Sequence, residues 1–296
     1  MKTIYYIIIS MRPHQWTKNL VIFAGLIFSH HLTDGQFFLK SVEAFLIYCL
    51  LSGMIYLIND ITDIENDKHH ERKKTRPLAA GKITVVRAVM AAVVGSALGL
   101  ILAHNVGQAF FLVTCAFFAF NILYSFVLKS IVLLDVMSIS ISFILRAIAG
   151  VNALKSIDQS LELSPWLLIC TLFLSLFLAF CKRRYELVSL GQASLHRHAL
   201  SEYSTGLIDQ LVSISAAGSV LSYSIYTIWP DTVQKFGTGN LVYTIPLVLI
   251  GVMRYLYLVY SKDKGGSPSE HLLHEKFLLI DVFAWVLLVI AIFYFI

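Results

Sequence analysis

The feature that most constrains this sequence is a series of long apolar runs along its whole length. A membrane-spanning α-helix needs about 20 predominantly apolar residues. The chain is also 57% hydrophobic and only 14% charged, whereas a soluble domain carries about 25% charged residues. The sequence therefore predicts an all-α, polytopic membrane protein with about nine spanning helices, give or take one. The runs lie at about 20–30, 39–58, 84–103, 108–127, 131–151, 166–180, 207–228, 241–260 and 277–296.

Basic residues are unequally divided between the two sides that these helices define. With the N-terminus in the cytosol, Lys40, Lys155 and Lys235 fall outside, while Arg146 and Arg254 lie within helices. The rest of the 23 lysines and arginines then fall on the cytosolic side, as the positive-inside rule requires. We therefore expect a multi-pass protein of the plasma (inner) membrane with its N-terminus in the cytosol.

The cytosolic segments carry most of the polar chemistry. We expect residues 1–19 to form a cytosolic or interfacial lead-in to a single domain over residues 1–296. The loops at 59–83 and 181–206, which follow the second and the sixth predicted helices, are the candidate active-site loops.

The densest polar group directly follows the second predicted helix. It contains Asn59, Asp60, Asp63 and Asp67. If that helix continues outward, the three aspartates stand at i, i+3 and i+7 and share one face. Their mutual repulsion and the negative end of the helix dipole both disfavour them, so a cation must offset these costs. Oxygen ligands of this kind suit Mg²⁺, which is usually held by one or two carboxylates plus substrate phosphates.

Basic residues near these aspartates and elsewhere on the cytosolic side are candidate phosphate ligands, because arginine binds phosphate through two hydrogen bonds and lysine acts as a point charge. A solvated helix end that obeys the positive-inside rule would explain these cations but not the clustered aspartates. An interfacial Trp16 with flanking cations is likewise a common membrane anchor. The candidates are Arg12, Lys18, Lys73, Arg76, Lys182 and Arg183.

Several motifs together resemble the UbiA superfamily of intramembrane prenyltransferases, whose members use two aspartate motifs to hold Mg²⁺ and a prenyl diphosphate. The first motif is present, but Lys182-Arg183-Arg184-Tyr185-Glu186 replaces the second. This departure resembles the decaprenyl-phosphate phosphoribosyltransferase branch. The matching pieces are Arg12-Pro13-His14-Gln15-Trp16-Thr17-Lys18-Asn19, Tyr56-Leu57-Ile58-Asn59-Asp60, Lys73-Lys74-Thr75-Arg76-Pro77-Leu78-Ala79-Ala80-Gly81, Arg146-Ala147-Ile148-Ala149-Gly150, and Lys182-Arg183 with Glu186.

The resemblance implies a UbiA-like helix bundle with a cytosol-facing cavity. It implies an enzyme, a pentosyltransferase that moves phosphoribose from phosphoribosyl diphosphate (PRPP) to a polyprenyl phosphate for cell-envelope glycan synthesis. Mg²⁺ is the expected cofactor, a homo-oligomer is compatible with the family, and nucleic acid is not an expected partner. The implied metal ligands are Asp60, Asp63 and Asp67, with Asp60 and Asp63 catalytic, and the implied substrate contacts are Arg12, Lys18, Asn59, Lys73, Arg76, Tyr124, Lys182, Arg183 and Glu186.

The charge of the substrates favours the same branch. PRPP and a lipid phosphate bring more negative charge than a prenyl diphosphate, since each phosphate monoester carries about −1.5 to −2 near neutral pH. A basic second motif would supply the added cations. Two alternatives stay open: a prenyltransferase with an aromatic or other small acceptor, and a cation transporter, although transporter sites lie near the membrane midplane.

One charge lies within a predicted helix. Arg146 is about ten helical rises, or ~15 Å, from Asp135 at the cytosolic end of its helix. Intramembrane charge is costly and is usually functional or paired. Glu43 lies at a similar depth, so we expect an Arg146–Glu43 ion pair.

Overall fold

The computed structural model describes residues 2–29, 31–69, 73–189, 198–261 and 275–295, and every regular element within these ranges is helical. The predicted all-α class is therefore confirmed. Parts of both candidate active-site loops, residues 70–72 and 190–197, lie outside the described residues. The α-helices are α1 (Lys2–Ser10), α2 (Ala24–Ile27), α3 (Gly35–Thr62), α4 (Ile64–His69), α5 (Val85–Val106), α6 (Gln108–Phe126), α7 (Leu134–Leu154), α8 (Pro165–Ser189), α9 (His198–Ser201), α10 (Thr205–Ile228), α11 (Pro230–Phe236), α12 (Ile245–Ser261) and α13 (Lys276–Phe295).

Within the described ranges, eight helical segments are long and apolar enough to cross a membrane. This number agrees with the predicted nine, give or take one. The segment that differs is the first: instead of one α-helix, it is a 3₁₀ helix over Pro13–Phe23 followed by the short α2. The eight segments are Gly35–Thr62, Val85–Val106, Gln108–Phe126, Leu134–Leu154, Pro165–Val188, Thr205–Ile228, Asn240–Ser261 and Lys276–Phe293.

The chain divides into two compact units. The first unit comprises Met1–Val127 and Leu145–Glu162, and the second comprises Leu128–Ile144 and Leu163–Ile296. Helix α7 thus contributes its first half to the second unit and its second half to the first. A single domain over residues 1–296 stays a prediction.

The first unit is built around α3, which packs against α5 and the 3₁₀ helix. Asp34 starts α3, because its carboxylate accepts a hydrogen bond from Gln36 N at 2.8 Å and so caps the helix. A very close approach joins Gly150 of α7 to Ile22. A Cβ atom at Gly150 would lie 2.2 Å from the Ile22 carbonyl oxygen, so only glycine fits there, as is common where membrane helices touch.

The second unit is built around the pairing of α8 with α10, and α12 packs on both α10 and α13. Its apolar core includes Phe177, Ile208, Val212 and Tyr255, all buried. Helix α8 runs to Ser189, well beyond the apolar run that ends near residue 180. The predicted loop at 181–206 therefore begins as helix, and its first charged residues are held on the surface of α8.

The predicted Arg146–Glu43 ion pair is wrong. Glu43 accepts from Lys40 Nζ at 2.8 Å, one turn away on α3. The buried Arg146 instead donates from Nε to Asn19 Oδ1 at 2.8 Å, and its guanidinium lies 4.7 Å from the centre of the Phe117 ring. A neutral amide and an aromatic face thus contact Arg146, and its predicted partner Glu43 pairs with Lys40 instead.

Asn19 joins Arg146 to helix α3. Its amide nitrogen donates to Cys49 Sγ at 3.4 Å, and Ser52 Oγ donates to Asn19 Oδ1 at 3.4 Å. Asn19 is 1% exposed and Arg146 is 6% exposed, and buried polar groups without partners are costly. The hydrogen bonds of Asn19 to Arg146, Cys49 and Ser52 therefore hold the 3₁₀ helix, the second half of α7 and α3 together.

We expect Asn19→Ala to lower the free energy of unfolding by about 1.5–3 kcal/mol, the usual contribution of a hydrogen bond to a charged group. Glu43→Gln is the matched control and should cost about 0–1 kcal/mol, since its partner is a partly exposed lysine. Thermal unfolding of both variants in detergent measures the difference. A loss for Glu43→Gln as large as that for Asn19→Ala would contradict the Arg146–Asn19 assignment.

Candidate active site

The predicted aspartate motif lies where α3 gives way to α4. Asp63 occupies the C-cap position of α3, with φ −99° and ψ 8°, and α4 begins at the next residue. The backbone stays close to a helical course, since Asp63 N donates to Asn59 O at 3.0 Å and Asp67 N donates to Asp63 O at 2.8 Å. The single continuous face predicted for the aspartates is therefore interrupted at Asp63.

Arg76 brings two of the aspartates together. Its Nη1 donates to Asp60 Oδ1 at 3.2 Å and to Asp67 Oδ2 at 2.5 Å. Both carboxylates are buried, with side chains only 2% exposed, whereas the Arg76 side chain is 25% exposed. Lys73 Nζ lies 3.8 Å from Asp67 Oδ1. The tract predicted to bind phosphate thus folds back onto the aspartates.

Arg12 completes this group from the start of the chain. Its Nη2 donates to Asp60 Oδ1, and its guanidinium lies 4.9 Å from the centre of the Tyr56 ring. The Arg12 backbone is left-handed, with φ 53° and ψ 65°, a costly conformation for a non-glycine residue. The contacts of its side chain with Asp60 and Tyr56 help to hold it there. We call Arg12, Asp60, Asp67, Lys73 and Arg76 the first-unit charge cluster.

The oxygen atoms beside this cluster suit a hard cation. Asn59 Oδ1 is buried and has no hydrogen-bond partner among the residues that the structure describes, and a buried polar atom without a partner is rare in proteins. It precedes Asp60 directly in the chain. Carboxylate and amide oxygens are the ligands that Mg²⁺ and Ca²⁺ prefer, so the donor set of Asn59, Asp60 and Asp67 fits Mg²⁺ chemically.

A metal site built from all three aspartates, Asp60, Asp63 and Asp67, stays a prediction. Across the part of the chain that the structure describes, no three histidine, cysteine or acidic side chains are grouped so as to hold a metal. Thr62 Oγ1 donates a long hydrogen bond of 3.5 Å to Asp63 Oδ1. The break between α3 and α4 separates Asp63 from the pair that shares Arg76. Fewer protein ligands remain, as is usual for Mg²⁺ shared with a phosphate.

The second unit holds another group of charged residues, near the C-terminal end of α8. Arg183 Nε donates to Asp135 Oδ2 at 2.7 Å, and its Nη1 donates to Glu186 Oε2. Arg183 and Asp135 are each 1% exposed. Lys182 Nζ lies 4.0 Å from Glu186 Oε1, with its side chain 40% exposed. These i,i+3 and i,i+4 pairs support the extra helical turns of α8.

Tyr203 closes the same group from a distant part of the chain. Its hydroxyl donates to Asp135 Oδ1 at 2.9 Å and accepts from Leu133 N at 2.8 Å. Leu133 has φ 65°, so this hydroxyl caps a strained backbone at the start of α7. Burial, and secondarily the Asp135 charge, raise the pKa of Tyr203, which keeps the hydroxyl protonated as a donor. We call Asp135, Arg183, Glu186 and Tyr203 the second-unit charge cluster.

This arrangement does not favour Arg183 as a phosphate ligand. The side chain is buried and its charge is offset by two carboxylates, so it orients Glu186 and Asp135. The cation surplus inferred from the sequence is also smaller than expected, because Asp135 and Glu186 balance Lys182 and Arg183. Lys182 is the basic residue of this group that solvent reaches.

Two more predicted site residues, Lys18 and Tyr124, and the neighbouring Arg184 are also described by the structure. Arg184 donates from Nε to Asp209 Oδ1 at 2.7 Å and stacks on Tyr260. Lys18 lies half-buried in the 3₁₀ helix, and Tyr124 lies half-buried near the C-terminal end of α6. Two structural residues, Asn19 and Tyr203, were not expected, although Asn19 stands as a lone amide before an apolar run.

The fold and the charge clusters define an integral membrane protein with an acidic motif at the end of a spanning helix. The model of the UbiA prenyltransferase family matches residues 20–277, and the chain belongs to this family. A solved structure of a UbiA homolog from Archaeoglobus fulgidus bound to GPP and Mg²⁺ has the same fold, with a TM-score of 0.72 at 18% identity and coverage of 97% of this chain and 99% of that one.

Curated relatives lie in the branch that the motifs predicted. Decaprenyl-phosphate phosphoribosyltransferase from Corynebacterium glutamicum is 30% identical over 288 residues, covering 95% of this chain and 84% of the relative. The protein of the same name from Mycobacterium tuberculosis is 30% identical over 284 residues, covering 94% and 90%. The predicted resemblance to this branch is thereby confirmed.

We expect Arg183→Met to lower the free energy of unfolding by about 3–5 kcal/mol, because it leaves the buried Asp135 without its cation. Arg184→Met is the matched control on the same helix. It should cost less, since its partner Asp209 is 40% exposed and exposed ion pairs contribute about 0–1 kcal/mol. Thermal unfolding in detergent compares the two. An Arg183→Met protein of unchanged stability would restore Arg183 as a candidate phosphate ligand.

Proposed function

We propose that this protein transfers 5-phosphoribose from PRPP to a polyprenyl phosphate in a Mg²⁺-dependent reaction. The observation that carries the proposal is the first-unit charge cluster, in which two buried carboxylates meet three basic side chains at the end of a membrane-spanning helix. The names of the curated relatives support the choice of donor and acceptor.

The composition of this cluster suits a highly phosphorylated substrate. The carboxylates are ligands for a divalent cation, and Arg12, Lys73 and Arg76 are each partly exposed, at 23%, 40% and 25%. Guanidinium groups form paired hydrogen bonds with phosphate oxygens. The same few residues thus offer a metal site and phosphate donors, which is what a metal-bound diphosphate needs.

In the proposed reaction, an oxygen of the lipid phosphate attacks the anomeric carbon of the donor. The bond from that carbon to the diphosphate breaks as the new bond forms, and the diphosphate leaves with the electron pair. The lipid phosphate is already an anion, so no strong general base is required. Inversion converts the α-configured donor into a β-linked ribose 5-phosphate lipid.

The chain's own residues bind and orient the leaving group. Arg12 and Arg76 donate hydrogen bonds to diphosphate oxygens, where negative charge develops as the bond breaks. Asp60 and Asp67, with Asn59, are the residues that would hold Mg²⁺, and Asp63 stays a predicted third carboxylate ligand. When bound, Mg²⁺ would neutralise the departing diphosphate.

The proposal also includes Lys182, because the family resemblance implies that this residue contacts the substrate. Lys182 is the accessible cation beside the second-unit charge cluster, and Glu186 and Arg183 fix the helical surface that carries it. We propose that Lys182 binds the 5-phosphate of PRPP, with Arg183 as a positioning residue. The asymmetry of basic residues supports active-site loops that face the cytosol of a plasma-membrane protein, and a homo-oligomer stays a prediction.

Purified protein in detergent or nanodiscs, assayed with PRPP and a polyprenyl phosphate, tests this function. We expect release of diphosphate and a phosphoribosylated lipid, with ribose 1-diphosphate a poor donor because it lacks the 5-phosphate. Lys182→Ala should lower kcat/KM for PRPP roughly tenfold, the lower range for a charged hydrogen bond, and should reduce the preference for PRPP. Turnover of a prenyl diphosphate with an aromatic acceptor, without turnover of PRPP, would support the prenyltransferase alternative and overturn the proposal.

We expect Asp60→Asn to abolish turnover, because it removes a metal ligand while its amide still accepts a hydrogen bond from Arg12. Glu65→Gln is the matched control: Glu65 lies on α4, is 74% exposed and pairs with Lys68, and its loss should leave activity unchanged. EDTA should stop the wild-type enzyme and added Mg²⁺ should restore it. Full activity of Asp60→Asn, or of wild type in EDTA, would exclude the metal role.

A further inference from the structure

The bridging position of Arg76 has a chemical consequence for metal binding. A single nitrogen, Arg76 Nη1, contacts one oxygen of Asp60 and one oxygen of Asp67. These carboxylates belong to residues 60 and 67, on opposite sides of the break at Asp63. A metal ion held by Asp60 and Asp67 would compete with Arg76 for the negative charge of both carboxylates.

Because Asp60 and Asp67 are buried, Arg76 and a divalent metal ion compete to neutralise them. Both aspartate side chains are 2% exposed, and ionised carboxylates are not buried without a compensating cation. Arg76 supplies it, with help from Arg12 on Asp60. A divalent ion close to the same oxygens would repel the guanidinium, because like charges at short range in a poorly solvated site interact strongly. Metal binding therefore requires that Arg76 move away from at least one carboxylate.

The surroundings of Arg76 allow that movement. The residue directly follows the short 3₁₀ turn Lys73–Thr75 and precedes Pro77, so it belongs to no long helix. Its side chain is 25% exposed, unlike the carboxylates it contacts. Once displaced, the guanidinium needs a new anion, and a phosphate group accepts its paired hydrogen bonds.

We infer that Arg76 is an exchangeable counter-cation: it neutralises Asp60 and Asp67, yields them to a divalent metal, and transfers its hydrogen bonds to the phosphate that arrives with that metal. Metal and diphosphate then bind as a coupled pair, each strengthening the other. The inference rests on the proposed function only in assuming that a metal and a diphosphate bind at Asp60 and Asp67. It adds that the protein resists the metal alone.

The experiment measures binding without turnover. Mn²⁺, an EPR-visible substitute for Mg²⁺, is titrated into detergent-solubilised protein in the absence and presence of inorganic diphosphate, with Mn²⁺–diphosphate binding in buffer subtracted. We expect diphosphate to strengthen Mn²⁺ binding to wild type by about tenfold or more, within the usual range of coupling between sites. In Arg76→Gln, Mn²⁺ alone should bind more tightly than in wild type, and the coupling should fall toward one.

The unfolding temperature gives a second readout. Arg76→Gln should unfold at a lower temperature than wild type without divalent metal, because its carboxylates repel, and Mn²⁺ or Mg²⁺ should restore more of its stability than it adds to wild type. Arg87→Gln is the matched control: Arg87 is an exposed arginine near the start of α5, and its loss should reproduce wild type in both readouts.

Two results would overturn the inference: Mn²⁺ alone binding no more tightly to Arg76→Gln than to wild type, or undiminished coupling in that variant. If Arg76→Gln does not fold, Arg76→Lys serves instead. Its single point charge should compete less well for both carboxylates and give intermediate coupling, and unchanged coupling would again count against the exchange. A protein that couples Mn²⁺ to diphosphate but ignores PRPP would refute the proposed function and leave this inference standing.

Discussion

The neutralisation of buried carboxylates is the constraint on which the functional regions of this protein depend. Asp60 lies in the last turn of the membrane-spanning α3, where the helix dipole disfavours its charge, and Asp67 lies on the short α4 that follows. Both carboxylates are buried away from solvent. Arg12 and Arg76 offset their charge from two separate parts of the sequence. The lead-in, the end of α3 and the tract after α4 are therefore held together by charge. In the second unit, Asp135 plays the corresponding part for α7 and α8 through Arg183.

The sequence predicted much of the fold because apolar length is a direct physical requirement of the bilayer. It also located the acidic motif, since clustered aspartates after a spanning helix require a cation. It could not say which cation. In the structure, the cations beside Asp60 and Asp67 are Arg12, Lys73 and Arg76, which we had predicted from the sequence to bind phosphate. Those two roles are compatible only if the basic side chains can exchange one anion for another.

Side-chain partners far apart in sequence were the weakest predictions. Similar depth suggested Glu43 for Arg146, but depth does not specify the direction in which a helical side chain points, and Asn19 was the actual partner. For Arg183, a run of basic residues suggested an open phosphate site. Its burial against Asp135 depends on how α7 packs against α8, which spacing along a single helix cannot reveal. Local patterns thus identified the residues that matter and left their pairing to tertiary structure.

The buried aspartates Asp60 and Asp135 differ in the order in which they and their arginine partners are synthesised. Arg12 precedes Asp60 by 48 residues, whereas Arg183 follows Asp135 by the same 48. Tyr203, which caps Leu133, follows it by 70 residues. During synthesis from the N-terminus, Asp60 thus emerges with a partner already present, but the start of α7 must wait until α8 and the segment beyond it exist. The contacts that hold the start of α7 can therefore form only after α8 and the segment beyond it have been synthesised.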